Sequence, residues 1–230
     1  MPTVVILSGA GMSAESGIKT FRDSNGLWEN HDIMTVASIE GWHRNPELVS
    51  EFYNQRRAQL AEVEPNAGHI ALKHLESAYR TIIITQNVDD LHERAGSKMV
   101  VHLHGELTKM RSTEYETDVY EVGYEKVPFG AICPKGTLLR PHIVWFGESV
   151  PMMEEAIKLT READIFIVVG TSLEVYPAAG LIDFARTDCK KFLIDPNRHA
   201  ELKMPGLRVI SDTAAKALPA LVNQLLAEQQ

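Results

Sequence analysis

The sequence predicts an α/β fold, a doubly wound parallel sheet interrupted by one small insert, and three features point to it. Short β-branched and apolar runs alternate with helix-length stretches along most of the chain. The first run, Val4-Val5-Ile6-Leu7, leads straight into a glycine turn, Ser8-Gly9-Ala10-Gly11. Between Glu106 and Leu139 the alternation stops, and polar residues broken by glycines and prolines replace it.

Composition narrows the function. A chain of 230 residues holds one generous domain, or a large domain with a small insert. Lys and Arg number 23 against 31 Asp and Glu, a net charge of −8, so no basic footprint for nucleic acid or an anionic membrane is present. The apolar runs have strand length, and no basic segment followed by an apolar one opens the chain, so neither a membrane span nor a signal peptide is expected. Two cysteines, Cys133 and Cys189, are too few for a disulfide framework or a thiolate zinc site, and a reducing, cytoplasmic setting is expected.

Taken in order, the first strand is followed by Gly9, Ala10 and Gly11, with Ser13 as the expected N-cap of a helix. Free amides and a helix N-terminus there would form an anion cradle. The spacing is Gly-x-Gly-x-x-Ala, a pattern that a glycine turn after any first strand can also show. Thr20 to Trp28 reads as a loop over the cradle, with Arg22 placed to reach phosphates and Phe21 beside it. Pro46 to Val63 reads as a helix whose apolar stripe includes Phe52, Tyr53 and Leu60, with Arg56 in register. A guanidinium on such a stripe requires a partner, either an internal acid or, with Tyr53, the carboxylate of a ligand.

Asn66 caps a second helix, and Thr81 to Thr85 is a buried strand ending in Gln86-Asn87-Val88-Asp89. Ligands of a parallel sheet gather at strand carboxyl ends, so Gln86, Asn87 and Asp89 suit sugar hydroxyls or a carboxamide, although Asn and Asp also make turns and caps. His102 and His104 share a face of the next strand, His104 standing before Gly105 as a candidate general base; hydrogen-bonded structure and a partial metal site are the alternatives. Beyond the insert come a strand at His142–Phe146, a helix from Pro151, and a central strand at Ile165–Val169. That strand ends in a second glycine turn, Gly170-Thr171-Ser172. A helix at Pro177–Arg186, strands at Lys191–Asp195 and Leu207–Ile210, and a helix at Thr213–Ala227 complete the prediction.

These motifs, in this order, resemble the sirtuins, the NAD-dependent protein lysine deacylases. The matching pieces are Gly9-Ala10-Gly11-x-Ser13-x-x-Ser16-Gly17-Ile18 with Phe21-Arg22, then Thr85-Gln86-Asn87-Val88-Asp89-x-Leu91-His92 and Leu103-His104-Gly105. Val144-Trp145-Phe146-Gly147-Glu148 and Gly170-Thr171-Ser172-x-x-Val175-x-Pro177 follow. The resemblance implies a Rossmann-like domain at 1–105 and 140–230, a small inserted domain at 106–139, and a further helical insertion at about 30–80. It implies NAD held by the first cradle, Ile18, Phe21, Arg22, Gln86, Asn87, Asp89 and Gly170 to Ser172. His104 would be the general base, with Asn87 beside it at the reacting ribose. An acylated lysine peptide would lie as a short strand between Val144 to Glu148 and Ser172 to Val175. The implied products are free lysine, nicotinamide and O-acyl-ADP-ribose.

Tyr53 and Arg56 match the Tyr-x-x-Arg pair of sirtuins that resemble desuccinylases and demalonylases, which implies removal of succinyl and malonyl groups, with acetyl removal as well. The chain also departs from the family pattern. Cys133 is the only cysteine of the insert, so a Cys₄ site cannot form and no structural zinc is expected. Leu193-Ile194-Asp195-Pro196 replaces the usual Asn-x-Glu-Pro, leaving Asp195 for the adenine ribose, and a family glycine appears as Asp212, leaving Ala214 for adenine. Three alternatives have distinct signatures. A dehydrogenase requires a second strand ending in an acid about 20 residues beyond the first turn, and residues 25–45 show none. A non-catalytic ADP-ribose reader does not need His104, and an ADP-ribosyltransferase shares only the first chemical step.

Overall fold

The computed structural model describes residues 1–19, 27–28, 31–171, 173–197 and 205–229. The expectations for Phe21, Arg22 and Ser172, and most of those for the Thr20–Trp28 loop, fall outside the described residues.

In chain order the strands and helices begin with β1 (Thr3–Ser8), β2 (Leu27–Trp28), β3 (His31–Asp32), α1 (Ile33–Val36), α2 (Ile39–Arg44), α3 (Pro46–Glu62), α4 (Ala67–Leu75) and β4 (Arg80–Thr85). They continue with α5 (Leu91–Arg94), β5 (Val100–His102), β6 (Gly105–Ser112), β7 (Val119–Glu121), β8 (Leu139–Ile143) and α6 (Met153–Arg161). β9 (Ile165–Val169), β10 (Lys190–Ile194), β11 (Leu207–Ile210) and α7 (Ala214–Ala227) close the chain.

Six parallel strands form the main sheet in the order β11-β10-β9-β1-β4-β5. From β1 the chain first builds outward through β4 and β5, then crosses back to β9 and builds the other way. The strand order therefore reverses between β1 and β9, the crevice position of an open α/β sheet. Strand periodicity divides the core: Val4 and Ile6 join α4 and α7 on one face, and Val5 and Leu7 join α6 and Leu181 on the other. All four are 0% exposed. A third core joins the helices α1 to α3 to the small sheet through Trp42, Phe52, Tyr53, Leu107, Ile143 and Trp145.

Several boundaries differ from the sequence reading, each for a local reason. Beyond β1 the chain forms two 3₁₀ turns, Ala10–Met12 and Ala14–Ser16, instead of a helix. Ser13 makes no side-chain cap there, because its hydroxyl is committed to Asp89. The helical insertion expected at about 30–80 ends sooner, since α4 packs on the main sheet beside α7 while α1 to α3, with Leu91 of α5, join the third core. Within the insert β7-β6-β8 forms an antiparallel sheet reaching from Gly105 to Ile143, past both edges of 106–139, and irregular segments link its strands. The strand expected at His142–Phe146 is the end of β8 and belongs to that small sheet. Residues Ala178–Phe184 are 3₁₀ where a longer helix was expected.

Polar side chains of α3 fasten the insert. Asn54 donates from Nδ2 to the Val127 carbonyl (2.9 Å) and accepts the Val127 N–H at Oδ1 (3.0 Å). Arg57, 0% exposed, donates to Asn54 Oδ1 and to the carbonyls of Glu125 and Leu107. The insert's Cys133 lies 3.0 Å from Thr137 Oγ1. No described helix is long and apolar enough to cross a membrane.

Candidate active site

The two glycine turns meet where the strand order reverses. Gly9 N–H donates to Val169 O (3.0 Å) and Gly11 N–H to Gly170 O (2.8 Å). A Cβ on Gly9 would stand 2.6 Å from Thr171 Cβ, and one on Gly11 2.8 Å from Gly170 Cα, so these glycines allow the two loops to approach each other. The expected mechanism of the cradle changes accordingly. The N–H groups of Gly9, Gly11, Met12 and Ser13 are all bonded to carbonyls of the protein, so they do not form a row of amides open to an anion. The amide of Ala10 lies between them.

At the end of β4 the polar residues converge as expected. Asn87 Nδ2 donates to Ser13 Oγ (3.1 Å), and Ser13 Oγ donates to Asp89 Oδ2 (2.9 Å). Asp89 also accepts the Leu91 N–H at Oδ1, so it makes the local turn contact as well as the site contact. Burial raises the Asp89 carboxyl to about 6, against the Ser13 hydroxyl and Leu91 amide that favour its charge. Gln86 Nε2 donates to Thr171 Oγ1 (3.2 Å) and bridges the two turns. Asp195 follows β10, 4% exposed, and accepts the Asn197 N–H. Ala214 opens α7, with its carbonyl close to Gly68 of α4.

His104 lies 3.0 Å from the Gln86 carbonyl through Nδ1. A carbonyl only accepts, so Nδ1 carries the proton and Nε2 is the basic nitrogen. Burial lowers the His104 pKa below the ordinary histidine value, outweighing the Gln86 carbonyl, so the ring is neutral near pH 7. Gly105 makes this placement possible, because a Cβ there would fall 2.0 Å from His142 O. Among the described residues no group of three or more His, Cys, Asp or Glu is arranged to hold a metal.

The two residues expected at the acyl end, Tyr53 and Arg56, lie on α3. The sequence stripe places Arg56 toward the core, but it is Arg57 that is fully buried, while Arg56 is partly buried. The Arg56 guanidinium lies 5.7 Å from the Phe52 ring centre. Arg56 lines a cavity of about 40 Å³ with Ile18, Gln59, Leu60, Val88, Asp89 and Leu107. One helix turn away, Tyr53 is 1% exposed and its hydroxyl accepts the Trp145 indole N–H (2.9 Å). Burial raises its pKa, so the phenol keeps its proton.

In the segment expected to receive a peptide, Val144 N–H donates to His104 O and Phe146 is exchanged through both backbone groups with Ala37 and Ile39. The Phe146 side chain is 43% exposed. Gly147 has φ +90°, and a Cβ would stand 2.9 Å from Ile39 Cγ2. The Glu148 carboxylate turns inward to Arg140 (2.7 Å), Arg111 (3.1 Å) and the Trp145 N–H (2.8 Å). Its side chain therefore holds the small sheet, and its N–H is already committed to the Trp145 carbonyl (3.0 Å). Opposite, Val175 is half-buried and its carbonyl accepts the Ala179 N–H. Between it and Thr171, Leu173 holds a positive φ of 58°, a strained value for leucine.

The sequence reading missed a buried network beneath the site. Ser8 Oγ donates to Thr85 Oγ1 (2.9 Å) and lies 3.0 Å from His92 Nε2, and the His92 ring packs edge-on against His69. Burial lowers both histidines, His69 to about 4. A signal existed: Ser8 and Thr85 are the polar last residues of two apolar strands, paired in register.

A family model described as the Sir2 family matches residues 9–177. An NAD-dependent protein deacylase of Helicobacter pylori is 52% identical over 227 residues, covering 98% of each chain. A solved Sir2 homologue–NAD complex superposes with a TM-score of 0.89 at 35% identity, covering 99% of this chain and 91% of the other. A Sir2–p53 peptide–NAD⁺ complex superposes at 0.78 with 30% identity, covering 98% and 92%. With its glycine turns, its Asn87–Ser13–Asp89 chain and a neutral His104 at one crevice, the chain belongs to the Sir2 family.

Proposed function

We propose that the protein is an NAD-dependent protein lysine deacylase that removes succinyl and malonyl groups, and acetyl groups as well. The observation that carries the reading is the position of Arg56, which lines the same cavity as Asp89. A cation on α3 and the carboxamide-binding acid thus bound one space, suited to an acyl chain ending in a carboxylate.

The donor set fits NAD. Asn87 and Gln86 offer amides to ribose hydroxyls, and Asp89 offers a carboxylate to the nicotinamide amide. Asp195 stands at the neighbouring strand end for the adenine ribose. NAD supplies the ADP-ribosyl group that accepts the acyl chain as nicotinamide departs. The protein's own part is to hold and exclude. Ser13, hydrogen-bonded to Asn87 and Asp89, fixes their spacing, and the buried setting strengthens each polar contact. His104, pinned at Nδ1, takes a proton from a ligand hydroxyl at Nε2. Arg56 orients the acyl tip, the Phe146–Glu148 and Thr171–Val175 segments border the peptide, and Tyr53, buried and outside the cavity lining, supports the third core through Trp145. The two free, buried cysteines support a reducing, cytoplasmic setting.

The test is a panel of succinyl-, malonyl- and acetyl-lysine peptides incubated with and without NAD and followed by mass spectrometry. NAD-dependent loss of the acidic acyl groups, with nicotinamide released, is expected. Loss of acetyl alone would remove the carboxylate-reading part, and NADH formation would remove the whole assignment.

A further inference from the structure

The strand expected to carry both histidines ends at His102, and His104 follows two residues later in a bend; the two rings sit in different electrical surroundings. The His102 side chain is only 8% exposed. Its Nδ1 lies 3.2 Å from the Asn87 carbonyl, and its Nε2 lies 2.8 Å from Glu93 Oε1 on α5. A carbonyl and a carboxylate both accept and neither donates. Both ring nitrogens must then carry protons for both contacts to be hydrogen bonds, and only the imidazolium has two.

From this geometry we propose that His102 is a positioning residue, an imidazolium held by Glu93 that clamps the Asn87 carbonyl and so aims the Asn87 side chain into the site. The proposal rests on the deacylase reading for what Asn87 does, though not for the charge on the ring. His104 makes the matching contact one residue earlier, to the Gln86 carbonyl, from a neutral ring. The last residue of β5 and the histidine two positions beyond it therefore hold consecutive carbonyls of the ligand loop. The ring without an acidic hydrogen-bond partner is the base, and the ring with one is the clamp.

The charged groups around His102 are consistent with this state. Glu93 acts on it from α5 and Glu106 from β6, and Asp89 and the buried neutral His92 are close enough to feel its charge. Lys109 is engaged by Glu106 at 2.8 Å and also acts on Glu93. Burial alone would lower the His102 pKa, but Glu93, followed by Glu106, raises it above the usual value. Burial opposes the charge of Glu93, but the hydrogen bond and charge of His102, joined by a backbone hydrogen bond and Lys109, together hold its pKa below the ordinary value. The positive ring also favours the ionised form of Asp89.

The experiment uses the full chain labelled with ¹⁵N, with long-range ¹H–¹⁵N spectra of the histidine rings recorded from pH 6 to pH 9. At pH 7.5 His102 is expected to show two protonated nitrogens, while His104 shows a neutral ring protonated at Nδ1. Glu93→Gln, which keeps an accepting oxygen, is expected to move the His102 titration down by about one pH unit or more. In turnover assays, the ratio of variant to wild-type kcat/KM for NAD is expected to fall about fivefold or more between pH 6 and pH 8.5. A purely structural role would leave that ratio constant. A neutral His102 in the wild-type spectrum at pH 7.5, or a constant ratio, overturns the proposal. If no acyl peptide is turned over at all, the functional reading fails, and the spectra still decide the state of the ring.

Discussion

Ser13, Asn87, Asp89 and His104 rise from the carboxyl ends of parallel strands, whereas Tyr53 and Arg56 stand on a single helix outside that sheet. The first group is fixed several times over, by side-chain hydrogen bonds, by consecutive backbone carbonyls and by strands with no exposed apolar residue at the centre. The second depends on one rotation of α3, which turns Arg57 into the insert and leaves Arg56 beside the cavity. The difference separates two tasks. The chemistry stands on the part of the fold that is hardest to perturb, and the acyl recognition proposed above on an attached layer where one side chain can change without disturbing the sheet.

His104→Ala tests the sheet-borne half most severely. Turnover is expected to fall about 10³-fold, with NAD binding by calorimetry largely kept; an equal loss of binding would show that His104 organises the site instead of serving as its base. Arg56→Met probes the other half. It is expected to cost about 2–5 kcal/mol in kcat/KM for succinyl-lysine and far less for acetyl-lysine, measured on paired peptides. Equal losses would merge the two halves.

The neighbouring Arg57→Met is expected to act on stability instead. Leaving buried carbonyls and Asn54 without their donor costs on the order of 3 kcal/mol, read as a lower denaturation midpoint with the succinyl-to-acetyl ratio unchanged. The smallest effect concerns Asp89. Its carboxyl moves from 3.8 to about 6 on folding, so the folded state binds the extra proton between those values and stability falls as pH rises through that window. Asp89→Asn should therefore stabilise the ligand-free protein at pH 8, by on the order of 1–3 kcal/mol, with little gain at pH 3.5. Melting curves at the two pH values check the sign.

The main sheet was legible because its strands are short apolar runs with polar ends, and because glycines mark where two such ends meet. Gln86, Asn87, Asp89 and His104 could be placed for the same reason: each follows directly from the end of a strand. The expected cradle was harder to read, since a Gly-x-Gly spacing does not say whether the amides face a ligand or the neighbouring loop; here most face the neighbouring loop. Helical periodicity put Arg56 in register with Phe52 and Leu60 and gave no sign of Arg57, because successive residues differ by about 100° around a helix and the insert that claims Arg57 is distant in sequence. Glu148 looked like a ligand contact because its partners Arg111 and Arg140 come together only once the small sheet has formed. The imidazolium reading of His102 required Glu93, which α5 brings alongside from nine residues away.

Asn54 and Arg57 give α3 a second role as the spindle on which residues 125–127 are mounted. A carboxylate that immobilises Arg56 stiffens the same turn of helix, so the amide of Val127, remote from any acyl group, should exchange its hydrogen more slowly when an acidic acyl peptide is bound. The loop at 125–127 would then serve as a built-in gauge of which acyl chain is bound.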